Sequence, residues 1–239
     1  MFQSSLHFTK TAELCAAITT AHREAKRLNR DITDEMAVPA YLKGNPLSRW
    51  VFWGRLRHVI RQAQLRPGTK VFDFGCGTGV LLSRLACEGR TVYGTDLHLD
   101  IARRLVAELK LPRVNLLEAD RWQQAIPDGQ MDTIIAADVL EHIEERQELL
   151  SIFRRKLAPG GRLVICGPTE NWMYKIGRRI VGFSGHYHVT AIAQCLADAR
   201  AVGFKQVETT SFPFPGPFCL FNIAAFTKAP AATSGSTGN

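Results

Sequence analysis

The stretch VFDFGCGTG (71–79) is an apolar run that stops in three alternating glycines, Gly75, Gly77 and Gly79, and carries one carboxylate, Asp73. A strand running into a glycine turn that opens a helix is the ligand-binding corner of doubly wound sheets, whose ligands lie over the carboxyl ends of the strands. The spacing narrows the ligand. A dinucleotide fingerprint is G-x-G-x-x-G, whereas here the glycines alternate and position 80 is Val80. Asp73 points the same way, because a pyrophosphate wants amide donors and a helix N-terminus with no anion nearby. A ligand that joins a nucleoside to cationic groups fits this corner better.

Working outward from the corner, short apolar runs alternate with helix-length stretches: KVFDFG (70–75), TVYGTD (91–96), RVNLLEAD (113–120), DTIIAAD (132–138) and GRLVICGP (161–168). Five strands with intervening helices predict a parallel α/β sheet with right-handed crossovers. Two further β-type runs, FKQVETTSF (204–212) and FCLFNIAAFTK (218–228), are joined by PFPGP (213–217) and predict an antiparallel hairpin closing the sheet edge. The fold class expected is therefore a Rossmann-like, doubly wound, seven-stranded sheet, mostly parallel, with N-terminal helices before it. Those helices are read over 11–30 and, after the breaker-rich VPAYLKGNP (38–46), over 47–64, where Trp50, Trp53, Leu56, Val59 and Ile60 recur at helical spacing with arginines opposite. HVTAIAQCLADARAVGF (188–204) reads as one more helix with Thr190 as its N-cap. The organisation predicted is an N-terminal helical cap or lid (1–64), a ligand-binding domain (65–228) and a disordered tail (229–239), APAATSGSTGN, whose composition cannot build a core.

Composition sets the outer limits. At 239 residues the chain suits one α/β core with appendages. No apolar run is long enough to span a bilayer, and the N-terminus lacks a basic and then apolar leader, so a cytoplasmic location is expected. Six cysteines without a C-x-x-C pair argue for reduced thiols and against a cysteine-built metal site, with Cys76 as a small filler of the glycine loop. The net charge of +8 is uneven: residues 36–72 contain no acid but hold Lys43, Arg49, Arg55, Arg57, Arg61, Arg66 and Lys70. Such a stretch is either a solvated helix face or a surface for an anionic partner.

Taken together, VFDFGCGTG, VYGTD, LEADRW, DTIIAADVLEHI and LAPGGRLVICGPT, in this order and spacing, resemble the five motifs of the class I S-adenosylmethionine-dependent methyltransferases over residues 65–227. The resemblance implies a methyl transfer from S-adenosylmethionine, with S-adenosylhomocysteine as product. It implies that Gly75, Gly77 and Gly79 form the cofactor loop and that Asp73 faces the methionine ammonium. Asp96, with Leu97 beside it, would accept the ribose hydroxyls; a helix N-cap is the plain structural alternative for that aspartate. Asp120, with Arg121 and Trp122, would hold the adenine, and Asp138 would line the cofactor at the end of the fourth strand. Trp122 reads equally as core filling.

The chemistry is expected around AADVLEHI (136–143), where Asp138, Glu141 and His142 at i, i+3 and i+4 can share a helical face. His142 is the candidate base, since an imidazole titrates near working pH. His188, in SGHYHVT (184–190), is the second catalytic candidate. A divalent metal at Asp138, Glu141 and His142 is an alternative that the resemblance allows but does not favour, so no metal ligand is assigned. The segment after the fifth strand, with Tyr174, Arg178, Arg179, His186 and Tyr187, is expected to help cover the acceptor. The acceptor expected is a small, partly apolar molecule, with Trp50 and Trp53 either walling it or packing an accessory helix. Two alternatives keep the cofactor and change the partner. In one, the basic, aromatic 43–70 region tracks RNA phosphates, although no dedicated RNA-binding motif accompanies it. In the other, the helix over 47–64 lies on an anionic membrane and the acceptor is a lipid.

Overall fold

A computed structural model describes residues 14–20, 23, 46–169, 171, 172, 174 and 190–228. Seven strands form one sheet: β1 (Lys70–Phe74), β2 (Thr91–Asp96), β3 (Val114–Glu118), β4 (Met131–Ala137), β5 (Leu157–Pro168), β6 (Phe204–Pro213) and β7 (Cys219–Lys228), in the order β3-β2-β1-β4-β5-β7-β6. The first five are parallel, with Phe72 opposite Tyr93 on one side and Ile134 on the other. β7 runs antiparallel between β5 and β6, so the hairpin inserts its second strand into the sheet and leaves β6 at the edge. The chain order reverses at β1, between β2 and β4, and the crevice at that reversal is where doubly wound sheets bind ligands.

Helices cover both faces: α1 (Pro46–Ala63), α2 (Val80–Leu85), α3 (Asp100–Glu108), α4 (Trp122–Ala125), α5 (Arg146–Lys156) and α6 (Ile192–Ala201). One face buries Val71, Val92, Ile135, Val164 and Ile223 beneath α1, α2 and α3. The other buries Phe72, Ile134, Leu163, Ile165 and Phe226 beneath α4, α5 and α6. Strands buried on both faces read as near-continuous apolar runs, which is the pattern of IIAA and LVIC in the sequence. Residues 14–20 are helical as expected, with Leu14, Ala17 and Ile18 buried in the α1 side of the core. The rest of the helix read over 11–30 and the tail over 229–239 lie largely or wholly outside the described residues. α6 starts later than read: Ala191 is its extended N-cap, Thr190 precedes it, and no side chain caps the helix.

α1 begins at Pro46, whose fixed φ suits a first helical position. Its apolar stripe lies on the sheet, with Trp53, Leu56, Val59 and Ile60 buried. Buried Gln62 fastens its last turn by donating to Thr210 Oγ1 at 2.8 Å and the Ile223 carbonyl at 2.9 Å. The tryptophans therefore divide: Trp53 is core, while Trp50 is exposed and leans on Phe212, with centroids 5.4 Å apart. The apolar face of α1 is occupied by the sheet, so it is not free to lie on a membrane. Among the described residues no helix is long and apolar enough to cross one.

Candidate functional site

At the carboxyl end of β1 the chain turns through three left-handed glycines, Gly75, Gly77 and Gly79, into α2. The amides of Gly75 and Cys76 both bond to the Thr95 carbonyl, at 2.9 and 3.0 Å, and this ties the loop to β2. Two of the glycines are required for different reasons. At Gly75 a Cβ would fall 2.6 Å from Val139 Cγ2, so the loop can pass under the β4 exit only without a side chain. At Gly77, with φ of 53°, a Cβ would meet nothing within 4 Å. Its bare backbone faces open space rather than protein, as a ligand-facing position requires.

Two carboxylates frame that opening. Asp73, one residue before the end of β1, is 1% exposed, and its Oδ2 has no hydrogen-bond partner among the described residues. Burial, with the Asp96 charge adding to it, pushes its carboxyl up to about 7. A buried acid left in that state calls for a cationic partner. Asp96, at the end of β2, accepts the Gly77 amide on Oδ2 at 2.7 Å and the His98 amide on Oδ1 at 3.3 Å. The helix that follows is capped by Leu99, so Asp96 does not serve as its N-cap. Leu97, next in the chain, is 83% exposed, an apolar side chain held out at the carboxyl edge.

The end of β3 is less decided. Asp120 and Arg121 are exposed beyond the strand. Trp122 is 3% exposed, with its ring packed on Phe72 at 5.1 Å, Phe74 at 5.5 Å and Phe153 at 5.9 Å. Of the two readings of Trp122, its ring follows core filling; its main chain still borders the β3 exit. Cys76 is buried and its thiol is pushed well above the usual range by burial, which suits a filler and not a nucleophile.

At the exit of β4, Asp138 takes a left-handed φ of 54°, a conformation that costs an ordinary residue about 1–2 kcal/mol. Its amide donates to the Cys166 carbonyl at 2.9 Å. Its carboxylate is ion-paired with Arg55 of α1. Residues 140–142 form a single 3-10 turn instead of an α-helix, and the expected shared face is not formed. Glu141 is buried, with Oε2 close to Gly167, while His142 is exposed. Among the described residues no group of three or more His, Cys, Asp or Glu is placed to hold a metal. His188, with His186, Tyr187, Arg178 and Arg179, lies outside the described residues.

The residue that sequence reasoning misses is Arg55. Charge counting places it among the solvated or phosphate-tracking arginines, yet its side chain is only 5% exposed. Its guanidinium lies over the rings of Phe52 and Phe221, 5.2 and 4.9 Å from their centroids. Tyr174 packs edge-on against Phe221 at 5.6 Å. A signal exists in the sequence, since Arg55 shares helical register with Val51, Val59 and Gln62, all buried.

The comparisons with known proteins agree with this geometry. The family described as "Methyltransferase domain" matches residues 72–165. An uncharacterized methyltransferase of Mycobacterium bovis is 30% identical over 172 residues, covering 72% of this chain and 82% of that protein. A probable S-adenosylmethionine-dependent methyltransferase of Mycolicibacterium smegmatis is 26% identical over 58% of this chain and 52% of its own length. A ubiquinone biosynthesis O-methyltransferase of Thiobacillus denitrificans is 36% identical over 45% of this chain and 47% of its own length. The chain thus spans about half the length of these last two relatives. Among solved structures, the N-methyltransferase NodS from Bradyrhizobium japonicum in complex with S-adenosyl-L-homocysteine superposes with a TM-score of 0.62 at 19% identity, covering 90% of this chain and 99% of that one.

Proposed function

The chain belongs to the class I S-adenosylmethionine-dependent methyltransferases, and from that premise we propose that its acceptor is a small, partly apolar molecule. The observation that carries the reading is the Arg55–Asp138 pair at the exit of the strand beside the glycine loop, with the guanidinium over Phe52 and Phe221 and Tyr174 edge-on to Phe221. The half-buried rings of Phe52 and Tyr174 can receive an apolar body, and Asp138, the more exposed partner of the pair, can meet a polar end. Similarity to ubiquinone biosynthesis O-methyltransferases supports the same chemical class.

The cofactor fits the residues present. The orphaned, buried oxygen of Asp73 suits an ammonium, and the bare backbone at Gly77 allows close approach. Within this reading Gly75, Gly77 and Gly79 cradle the cofactor, Asp96 holds the ribose hydroxyls, and Leu97 packs on the base. Asp120, with the main chain of Arg121 and Trp122, takes the adenine edge, and Asp138 borders the methionine end. When bound, the cofactor supplies an activated methyl group on a sulfonium for in-line displacement.

The protein's share of the work is positional. Buried strand ends and aromatic walls hold the acceptor and keep water out, and proximity lowers the barrier. A hydroxyl acceptor must also lose a proton, and His142, exposed at the β4 exit, is the group proposed to take it. The segment 1–64 is proposed to cap the acceptor side, with α1 as its anchor. The test is a coupled assay for S-adenosylhomocysteine across phenols, carboxylic acids and amines of graded apolar size, with Asp96→Ala as the cofactor-site control. Turnover that rises with apolar area and disappears in the control is expected. Turnover confined to fully polar acceptors would overturn the reading.

A further inference from the structure

Phe212, near the end of β6, is held by one face of α1. Trp50, Gly54 and His58 recur there at i, i+4 and i+8 and stack along a single line of the helix. The Phe212 ring sits on the bare backbone of Gly54, where a Cβ would fall 2.4 Å from its Cζ. Trp50 flanks the ring on one side, with centroids 5.4 Å apart, and His58 on the other, at 5.0 Å. Phe212 is buried as a result, and this is where α1 grips the edge strand.

His58 is half-buried, and its Nδ1 is enclosed with no hydrogen-bond partner among the described residues. A neutral imidazole tolerates this, because one of its nitrogens carries no hydrogen. An imidazolium carries hydrogen on both, whichever tautomer it started from, and would bury an N–H without an acceptor. Nor does a carboxylate stand ready to pair with it. β4, β5, β6 and β7 pack against α1. Their acids are engaged elsewhere: Glu208 with Arg162, Asp132 with the Lys70 amide and Asp138, just past β4, with Arg55. The remaining charges on those strands are the bases Lys205 and Lys228, and residues 14–20, in the same core, carry none. Burial, with Arg61 and Arg57 of α1 adding to it, holds the imidazole below its ordinary 6.5.

We infer that His58 is a proton-operated latch on α1, closed on Phe212 while neutral and opened by protonation. The unfolded chain takes up this proton near 6.5 and the closed latch only below it. The stability that the latch contributes is therefore complete above that range and is lost as pH falls through it. Arg55 lies about one turn earlier on the same helix, and its partner Asp138 stands at the β4 exit, so opening the latch loosens that exit as well. A slowing of methyl transfer by the open latch rests on the site reading given above; the latch itself does not.

The test compares the full chain with His58→Phe and His58→Gln, two side chains that stay neutral. The first keeps a ring on Phe212, and the second serves if the larger ring does not fit. Proton NMR should show that the imidazole signal missing from the variants titrates below 6.5 in the wild type. Between about pH 8 and about pH 5 the wild type should lose melting temperature relative to the variants, since the opposite trend of Asp73 is common to all and cancels. Over the same range the hydrogen-exchange rate of the α1 amides, taken as a ratio of wild type to variant, should rise as pH falls. An imidazole titrating at or above 6.5, melting temperatures that run parallel, or an exchange ratio that does not change with pH would each overturn the inference. Titration of the same preparations with S-adenosylhomocysteine tests the site reading separately: failure to bind counts against that reading and leaves the latch standing.

Discussion

Replacing Asp73 by Asn should make the ligand-free protein more stable and remove its cofactor affinity. The carboxyl is 1% exposed and is raised from an ordinary 3.8 to about 7, with burial as the main cause and Asp96 as the lesser one. The folded state therefore holds a proton that the unfolded state releases near pH 4. The stability this contributes is fully present below pH 4 and is lost as pH rises to about 7. Three pH units correspond to roughly 4 kcal/mol, an upper value because the buried amide that replaces the acid also wants partners. We expect Asp73→Asn to exceed wild type by about 1–4 kcal/mol at pH 8, and the advantage to vanish toward pH 4. For a chain of this length each kcal/mol moves the melting temperature by roughly 2–4 °C. Differential scanning calorimetry of both proteins at several pH values reads this directly. In wild type, binding an ammonium must also draw the proton off Asp73, so affinity should fall toward tenfold per unit below about pH 7. An advantage of the variant that does not change with pH, or a variant that binds S-adenosylmethionine as wild type does, would refute the reasoning.

The glycine loop gives a contrast between neighbours. Gly75→Ala places a methyl 2.6 Å from Val139 and should lower the melting temperature sharply, whereas Gly77→Ala should cost only about 1–2 kcal/mol for its left-handed φ while abolishing cofactor binding in calorimetry. Arg55→Gln leaves Asp138 without its buried cation and should destabilise by about 1–3 kcal/mol in urea melts, less than a fully buried pair because Asp138 is 27% exposed. The double variant Arg55→Gln/Asp138→Asn should recover part of that loss; additive losses would show that the pair is not coupled. His142→Ala should lower kcat toward hydroxyl acceptors by about 100-fold or more and leave cofactor affinity unchanged, and an unaltered kcat would remove His142 from the chemistry.

The fold and the glycine corner are legible in the sequence because each is written locally. Alternation of apolar runs with helical stretches sets the strands, and the spacing of Gly75, Gly77 and Gly79 does not match the dinucleotide fingerprint. The placement of β7 between β5 and β6 is not local, since a hairpin can pair through either strand and only long-range packing decides which. The tethering of Gly77 to Asp96 is equally hidden, for it joins the loop after β1 to the end of β2 through a side chain. The β4 exit misleads because i, i+3, i+4 spacing presumes an α-helix. Asp138 in a left-handed conformation and a single 3-10 turn send Glu141 inward and His142 outward.

Arg55 shows what charge counting misses. A run of seven bases without an acid suggests a solvated or polyanion-binding face, but the helix register of Arg55 is that of the buried stripe. A guanidinium is tolerated there because two aromatic faces and one carboxylate replace its water, and the carboxylate comes from the strand whose exit borders the glycine loop. α1 is thus joined to the β4 exit by an ion pair as well as by packing. Anything that shifts α1 along the sheet must either break that pair or carry Asp138 with it, so α1 and the β4 exit are expected to move together.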